Sequence, residues 1–205
     1  MSTRAYRGVP AAARHAQRRA ALIETALDSL HADGLGGVSV RSICSGARLT
    51  PRYFYESFDD LDALLVATVD AVVAEVADAG LAALDEAPDD LTLRVRATID
   101  AAVGVVITDP RKASAMLVAA SGYGPLRERR HRVVLDFADL VVQRFAALPG
   151  LDPGTRRQSR SIALFLMGGS TEVIEAVLSG RQRMSRPALV DHLTELWLRV
   201  LRGTA

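Results

Sequence analysis

Residues 38–58 read Val38-Ser39-Val40-Arg41-Ser42-Ile43-Cys44-Ser45-Gly46-Ala47-Arg48-Leu49-Thr50-Pro51-Arg52-Tyr53-Phe54-Tyr55-Glu56-Ser57-Phe58. Two short helices announce themselves here by their starts. Ser39 is placed to cap the first, with Val38 before it and Ile43 spaced to close a hydrophobic staple. Thr50 is placed to cap the second, with Pro51 at the first helical position and Leu49 and Phe54 as its staple. Two short helices joined by a tight turn, the second opening on hydroxyl and basic residues, describe a helix-turn-helix. The second helix, about 51–56, carries Tyr53, Phe54 and Tyr55 in succession. Three consecutive aromatics cannot all face one core at 3.6 residues per turn, so at least one is exposed. Beside Arg52, whose fork can read guanine, such rings and the Thr50 hydroxyl suit a nucleic-acid surface.

Outward from this stretch the pattern is helical nearly throughout. Leu22, Ile23, Ala26, Leu27 and Leu30 predict a helix over 12–32, and Gly34 offers a left-handed stop. Asp59 or Asp60 opens a longer helix bearing Leu61, Leu64, Leu65, Val69, Val72, Val73 and Val76, its early acids matching the positive end of the helix dipole. Leu91, Leu93, Val95, Ala97 and Ile99 alternate, a strand period. A lone strand would leave its backbone unpaired, and no partner strand is visible, so helix is expected here too. Asp109-Pro110 and Gly122 to Pro125 break the chain. Helices are expected over 126–147, ended by Pro149-Gly150, over 155–179 and over 187–202.

Composition narrows the class. Of 205 residues, 49% are hydrophobic, enough to bury a sizeable core. No uninterrupted apolar run of about 18 residues is present, so no membrane span is expected. The basic N-terminus lacks the apolar run of a signal peptide. Cys44 is the only cysteine, which excludes an intrachain disulfide and fits a cytoplasmic setting. Net charge is +1, unevenly spread: residues 1–58 hold eight arginines and four acids, whereas residues 59–110 hold twelve acids and two arginines. A basic end on an acidic body suits a polyanion-binding head. The expected organisation is all-α: a three-helix helix-turn-helix head over 1–58 and a helical bundle over 59–205 for ligand binding and dimerisation.

At this point the stretch 38–58 resembles the DNA-binding signature of the tetracycline-repressor (TetR) family. The hydrophobic helix before it, Ala47 in the turn, the Tyr55 and Phe58 pair and the long helix from about 60 belong to the same pattern, which covers roughly residues 12–70. The resemblance implies a repressor on double-stranded DNA, released by a small molecule. It implies that Tyr55 and Ser57 contact phosphate, that Thr50, Pro51, Arg52 and Tyr53 enter the major groove, and that Ser39 and Arg41 lie near the backbone. The pattern departs at two positions. The family usually has Gly where Arg48 stands, so either Arg48 bears left-handed strain or Gly46 shifts the turn. It often has a phosphate-touching Lys near Leu61, and the arginines at 4, 7, 14, 18 and 19 are placed to supply that charge.

Other chemistry is poorly served. Lys112 is the only lysine and no phosphate loop precedes it. No Gly-x-Ser-x-Gly elbow exists. Glu128 and His131 form one Glu-x-x-His, whereas a dimetal bundle site needs two with facing glutamates. No catalytic residue, metal or cofactor is therefore expected. A bundle metalloenzyme using Glu128 and His131, and a helical protein-binding adaptor, stand as the alternatives. In the body, Met116, Tyr123, His131, Phe137, Gln143 and Thr171 are the candidate ligand residues, suiting a largely apolar effector; Met116 and Trp197 also read as ordinary core. The helices of about 155–202, rich in Leu, Ile and Val with Gly168 and Gly169 for close approach, are expected to pair with their copies. A two-fold dimer would set two recognition helices roughly 34–36 Å apart on a near-palindromic operator.

Overall fold

The computed structural model describes residues 10–145 and 158–202. Every regular element among the described residues is helical: α1 (Ala11–Asp33), α2 (Val40–Gly46), α3 (Pro51–Tyr55), α4 (Leu61–Glu86), α5 (Leu91–Thr108), α6 (Pro110–Ala120), α7 (Gly124–Phe145), α8 (Ser159–Leu178) and α9 (Arg186–Leu201), with one 3-10 turn at Leu35–Gly37. The chain divides into two compact units, Met1–Thr68 and Val69–Ala205, so α4 contributes residues to both. That division falls within α4, ten residues beyond the expected head of 1–58.

In the first unit, α1 buries Leu22, Ile23, Ala26, Leu27 and Leu30 along one stripe. Each large side chain so removed from water contributes about 1.5–3 kcal/mol before entropy is counted. The helix stops at Gly34, whose φ of 62° admits the N–H to Leu30 O bond of 3.2 Å. Ser39 caps α2 as expected, in a reciprocal box: the Ser42 amide donates to Ser39 Oγ at 3.1 Å and the Ser39 amide to Ser42 Oγ at 3.0 Å. Serine here takes the part usually played by Glu. α3 starts at Pro51 after an extended Thr50, but the Thr50 hydroxyl makes no capping bond. Pro51 has no N–H, and the Tyr53 amide goes to the Thr50 carbonyl instead, at 3.0 Å. Phe54 is wholly buried and Phe58 nearly so, their ring centroids 5.9 Å apart.

The second unit starts at Val69 and packs α5 against α9 and α7 against α8. Asp90 caps α5 through the Leu93 amide at 2.9 Å, and the helix buries Leu91, Val95, Ile99 and Val103. The alternating stretch is thus helical, with Leu93 turned outward. These residues meet Leu189, Val190, Leu193 and Trp197 of α9 in the core. Local signals set the other starts: Asp109 with Pro110 for α6, and Ser185 with Pro187 for α9. Pro149-Gly150 and residues 155–157 lie outside the described residues.

Candidate nucleic-acid interface and body cavity

The α2–turn–α3 pair sits on α1, and the turn carries a conformational cost. Arg48 has φ 55°, and it is the only non-glycine with positive φ among the described residues. For an L-residue this region costs about 1–2 kcal/mol. Gly46 does not take over the left-handed position. It serves another purpose: a Cβ there would stand 2.6 Å from Thr25 Cγ2, so glycine lets α2 lie against α1. Behind α3, burial pushes the Cys44 thiol pKa up, keeping it a neutral packing group.

The residues expected to meet DNA lie on the surface of this unit. Thr50, Pro51, Arg52, Tyr53 and Tyr55 are exposed, Tyr55 at 59%. The Arg52 side chain is 84% exposed, and its Nε donates to Glu56 Oε1 at 3.0 Å. Ser39 and Arg41 are exposed at the start of α2. Ser57 is half-buried, and its Oγ donates to the Tyr53 carbonyl at 3.2 Å. The hydroxyl must rotate away from that carbonyl before it can donate to a phosphate.

Sequence reasoning missed how α1 braces α3. The Arg18 guanidinium stacks over the Tyr53 ring at 4.5 Å and reaches Glu56 Oε2 at 3.5 Å. Arg19 lies over Phe58 at 4.9 Å, and His15 Nε2 is 3.1 Å from the Glu56 carbonyl. Arg18 and Arg19 therefore hold the head together, rather than simply standing free as replacements for a Lys at Leu61. Arg4 and Arg7 lie outside the described residues. The basic spacing of α1 was visible in the sequence, but its target depends on a crossing between segments 35 residues apart.

The second unit holds a partly open cavity of about 200 Å³. α7 gives it one face, Arg130, Val133, Val134, Phe137, Val141 and Arg144, a run at helical spacing. Of the expected ligand residues, Met116, Phe137 and Thr171 line it; Tyr123, His131 and Gln143 do not. His131 and Gln143 fall on the outward side of α7, and Tyr123 sits exposed in the turn before it. Trp197, read as core, also borders the cavity, and its Nε1 donates to Ser170 Oγ at 2.8 Å. The polar lining is internally committed. Thr98 and Thr171 donate to their own helix carbonyls, Arg94 O and Met167 O, each at 2.8 Å. Arg130 pairs with Glu172 and, at 3.1 Å, with Glu175, which also accepts from Arg181 at 2.7 Å. Arg144 faces Asp85 at 3.7 Å.

No protein-family model matches the sequence, and no curated protein does. Solved structures do match. A TetR-like transcriptional regulator from Rhodococcus sp. RHA1 is 18% identical, with 96% of this chain and 100% of that one covered at a TM-score of 0.67. The chain has the TetR fold. The fatty acid degradation regulator FadR from Bacillus halodurans shares that fold at 16% identity, covering 91% and 97% with a TM-score of 0.72. A protein of Pseudomonas aeruginosa PAO1, assigned as a transcriptional regulator, is 22% identical, covering 91% of each chain at 0.70. In the TetR fold described here, among the described residues no three His, Cys, Asp or Glu side chains gather as metal ligands. Glu128 pairs with Arg132 at 3.0 Å, and His131 is exposed.

Proposed function

We propose that this chain is a dimeric, ligand-responsive transcriptional regulator, acting in the cytoplasm as a repressor on a near-palindromic DNA operator. The observation that carries the reading is the exposed surface of Thr50, Pro51, Arg52, Tyr53 and Tyr55 on a helix-turn-helix braced by Arg18. Arg52 reads a base in the major groove, Tyr55 and Ser57 meet phosphates, and Ser39 and Arg41 sit by the backbone. The similarity to structures named as TetR-family and fatty-acid-degradation regulators supports this reading.

The body supplies the effector site and the second copy's surface. The cavity accepts a lipophilic effector, because its walls are almost wholly aliphatic and aromatic. Val69 and Val73 of α4 line it, and α4 runs on from the first unit, so ligand contacts on α4 are the route to the head. The effector must prefer the non-binding conformation: about 5.5 kcal/mol of preference turns a 99:1 population into 1:99. For the dimer, α8 presents Phe165 at 70% exposure, with open space beside Gly168 and Gly169. Among the described residues α8 is also long and apolar enough, by length and composition, to cross a membrane. Its Glu172 and Glu175, paired with Arg130, favour a protein interface instead.

The test is operator selection from random duplexes, followed by binding across a salt series. Steep loss of affinity with salt and a two-fold site are expected. An adaptor acting through protein alone would select no sequence, and that outcome overturns the reading.

A further inference from the structure

Resting on the effector-pocket reading above, we infer that the cavity selects an uncharged amphiphile, an apolar chain carrying one neutral oxygen group such as an alcohol or ester, and rejects alkyl anions and cations. The Thr98 and Thr171 protons are spent on Arg94 O and Met167 O. The Ser170 oxygen accepts from Trp197 Nε1, which leaves its own proton to be donated into the cavity. A hydroxyl so polarised is a stronger donor for a ligand oxygen.

The charged lining is self-neutralised. Of the lining charges, Arg130 is paired with Glu175 and with Glu172, and Glu175 is paired in turn with Arg181; Glu172 and Arg181 stand outside the lining. Arg144, the other lining cation, has its counter-charge in Asp85 at 3.7 Å, just outside the lining. An alkyl carboxylate seeking Arg130 meets both glutamates, and an alkylammonium seeking Glu175 meets two guanidiniums. Either ligand would give up its hydration for a neighbourhood with no net opposite charge, and desolvating an ion without such compensation is unfavourable. A neutral oxygen gives up far less water and finds the Ser170 proton. The aliphatic walls from Val73, Val133 and Met167 take the chain.

The test uses the full-length protein and displacement of Nile red, an uncharged fluorophore, by decanol, decanoate and decylammonium at pH 8. Decanol should displace the dye at a concentration at least tenfold below either ion. Glu175→Gln unbalances the wall toward positive charge, and should shift the decanoate-to-decanol ratio at least fivefold toward decanoate. A general loosening of the bundle would move both ligands together and leave that ratio unchanged. Decanoate or decylammonium equalling decanol in the wild-type protein overturns the charge selectivity while leaving an apolar effector pocket standing. If neither Nile red nor any of the three ligands binds, the pocket reading itself falls, and the selectivity with it.

Discussion

Arg48→Gly and Arg48→Ala, made side by side, measure the strain in the helix-turn-helix turn. Both substitutions delete the same exposed side chain, so lost charge and lost contacts cancel between them. What remains is backbone. At φ 55° alanine retains the left-handed penalty of about 1–2 kcal/mol, which glycine lacks. Glycine loses more conformational entropy on folding, about 0.5–1 kcal/mol relative to alanine. The glycine variant should therefore be the more stable, by about 0.75 kcal/mol at mid-range and by about 1.5 kcal/mol at most. For a chain of this size the mid-range figure is a Tm difference of about 1.5–3 °C. Urea unfolding with equal slopes would give the same difference as a shift in midpoint. Operator affinity should not separate the two variants. If Arg48 stands by a phosphate, both lose it, and the salt slope falls by about 0.9 in each. An alanine variant equal to or more stable than the glycine variant would refute the argument, since alanine wins wherever φ is negative.

Three further outcomes are expected. Arg52→Ala should cost about 1–3 kcal/mol on the selected operator and relax preference at one base pair, whereas Tyr55→Phe should weaken all sequences alike; fluorescence anisotropy on matched and mutated duplexes reads both. Phe165→Glu, which puts a charge on the exposed face of α8, should turn a sedimenting dimer into a monomer while the helical signal is kept. Asp109→Asn tests an electrostatic cap: the side-chain bond from Arg111, with its charge, lowers the Asp109 pKa from 3.8 to about 2. A lowered folded pKa stabilises above the unfolded value, so the variant should melt earlier at neutral pH. The gap should then narrow as pH falls from 3.8 towards 2.

Some helix starts were legible because capping is local. Ser39 and Pro51 each act within one turn of themselves, and no distant contact is needed to decode them, whereas Asp109-Pro110, which reads as a break, also opens α6. The strand-like stretch in α5 shows how a local signal misleads. Leu91, Val95 and Ile99 satisfy a period of two and a spacing of four alike, and Val103 extends the buried helical row. The same distinction separates the candidate residues that reach the cavity from those that do not. Tyr123, His131 and Gln143 stand off the lining, whereas Phe137 lies on the row that begins at Arg130 and Val133. Helical phase, readable in the valines of α7, sets which of its side chains face the cavity. The bracing of α3 by Arg18 is of another kind, because it depends on where α1 crosses, and no periodicity within either helix encodes that. Yet it bears directly on recognition. Glu56 accepts from Arg52 on one side and pairs with Arg18 on the other, so the side chain proposed to read a base is tethered through one carboxylate to α1. A base contact by Arg52 must either keep that tether as an aiming strut or break it, and the preference lost in Glu56→Gln at the Arg52 base pair would tell which.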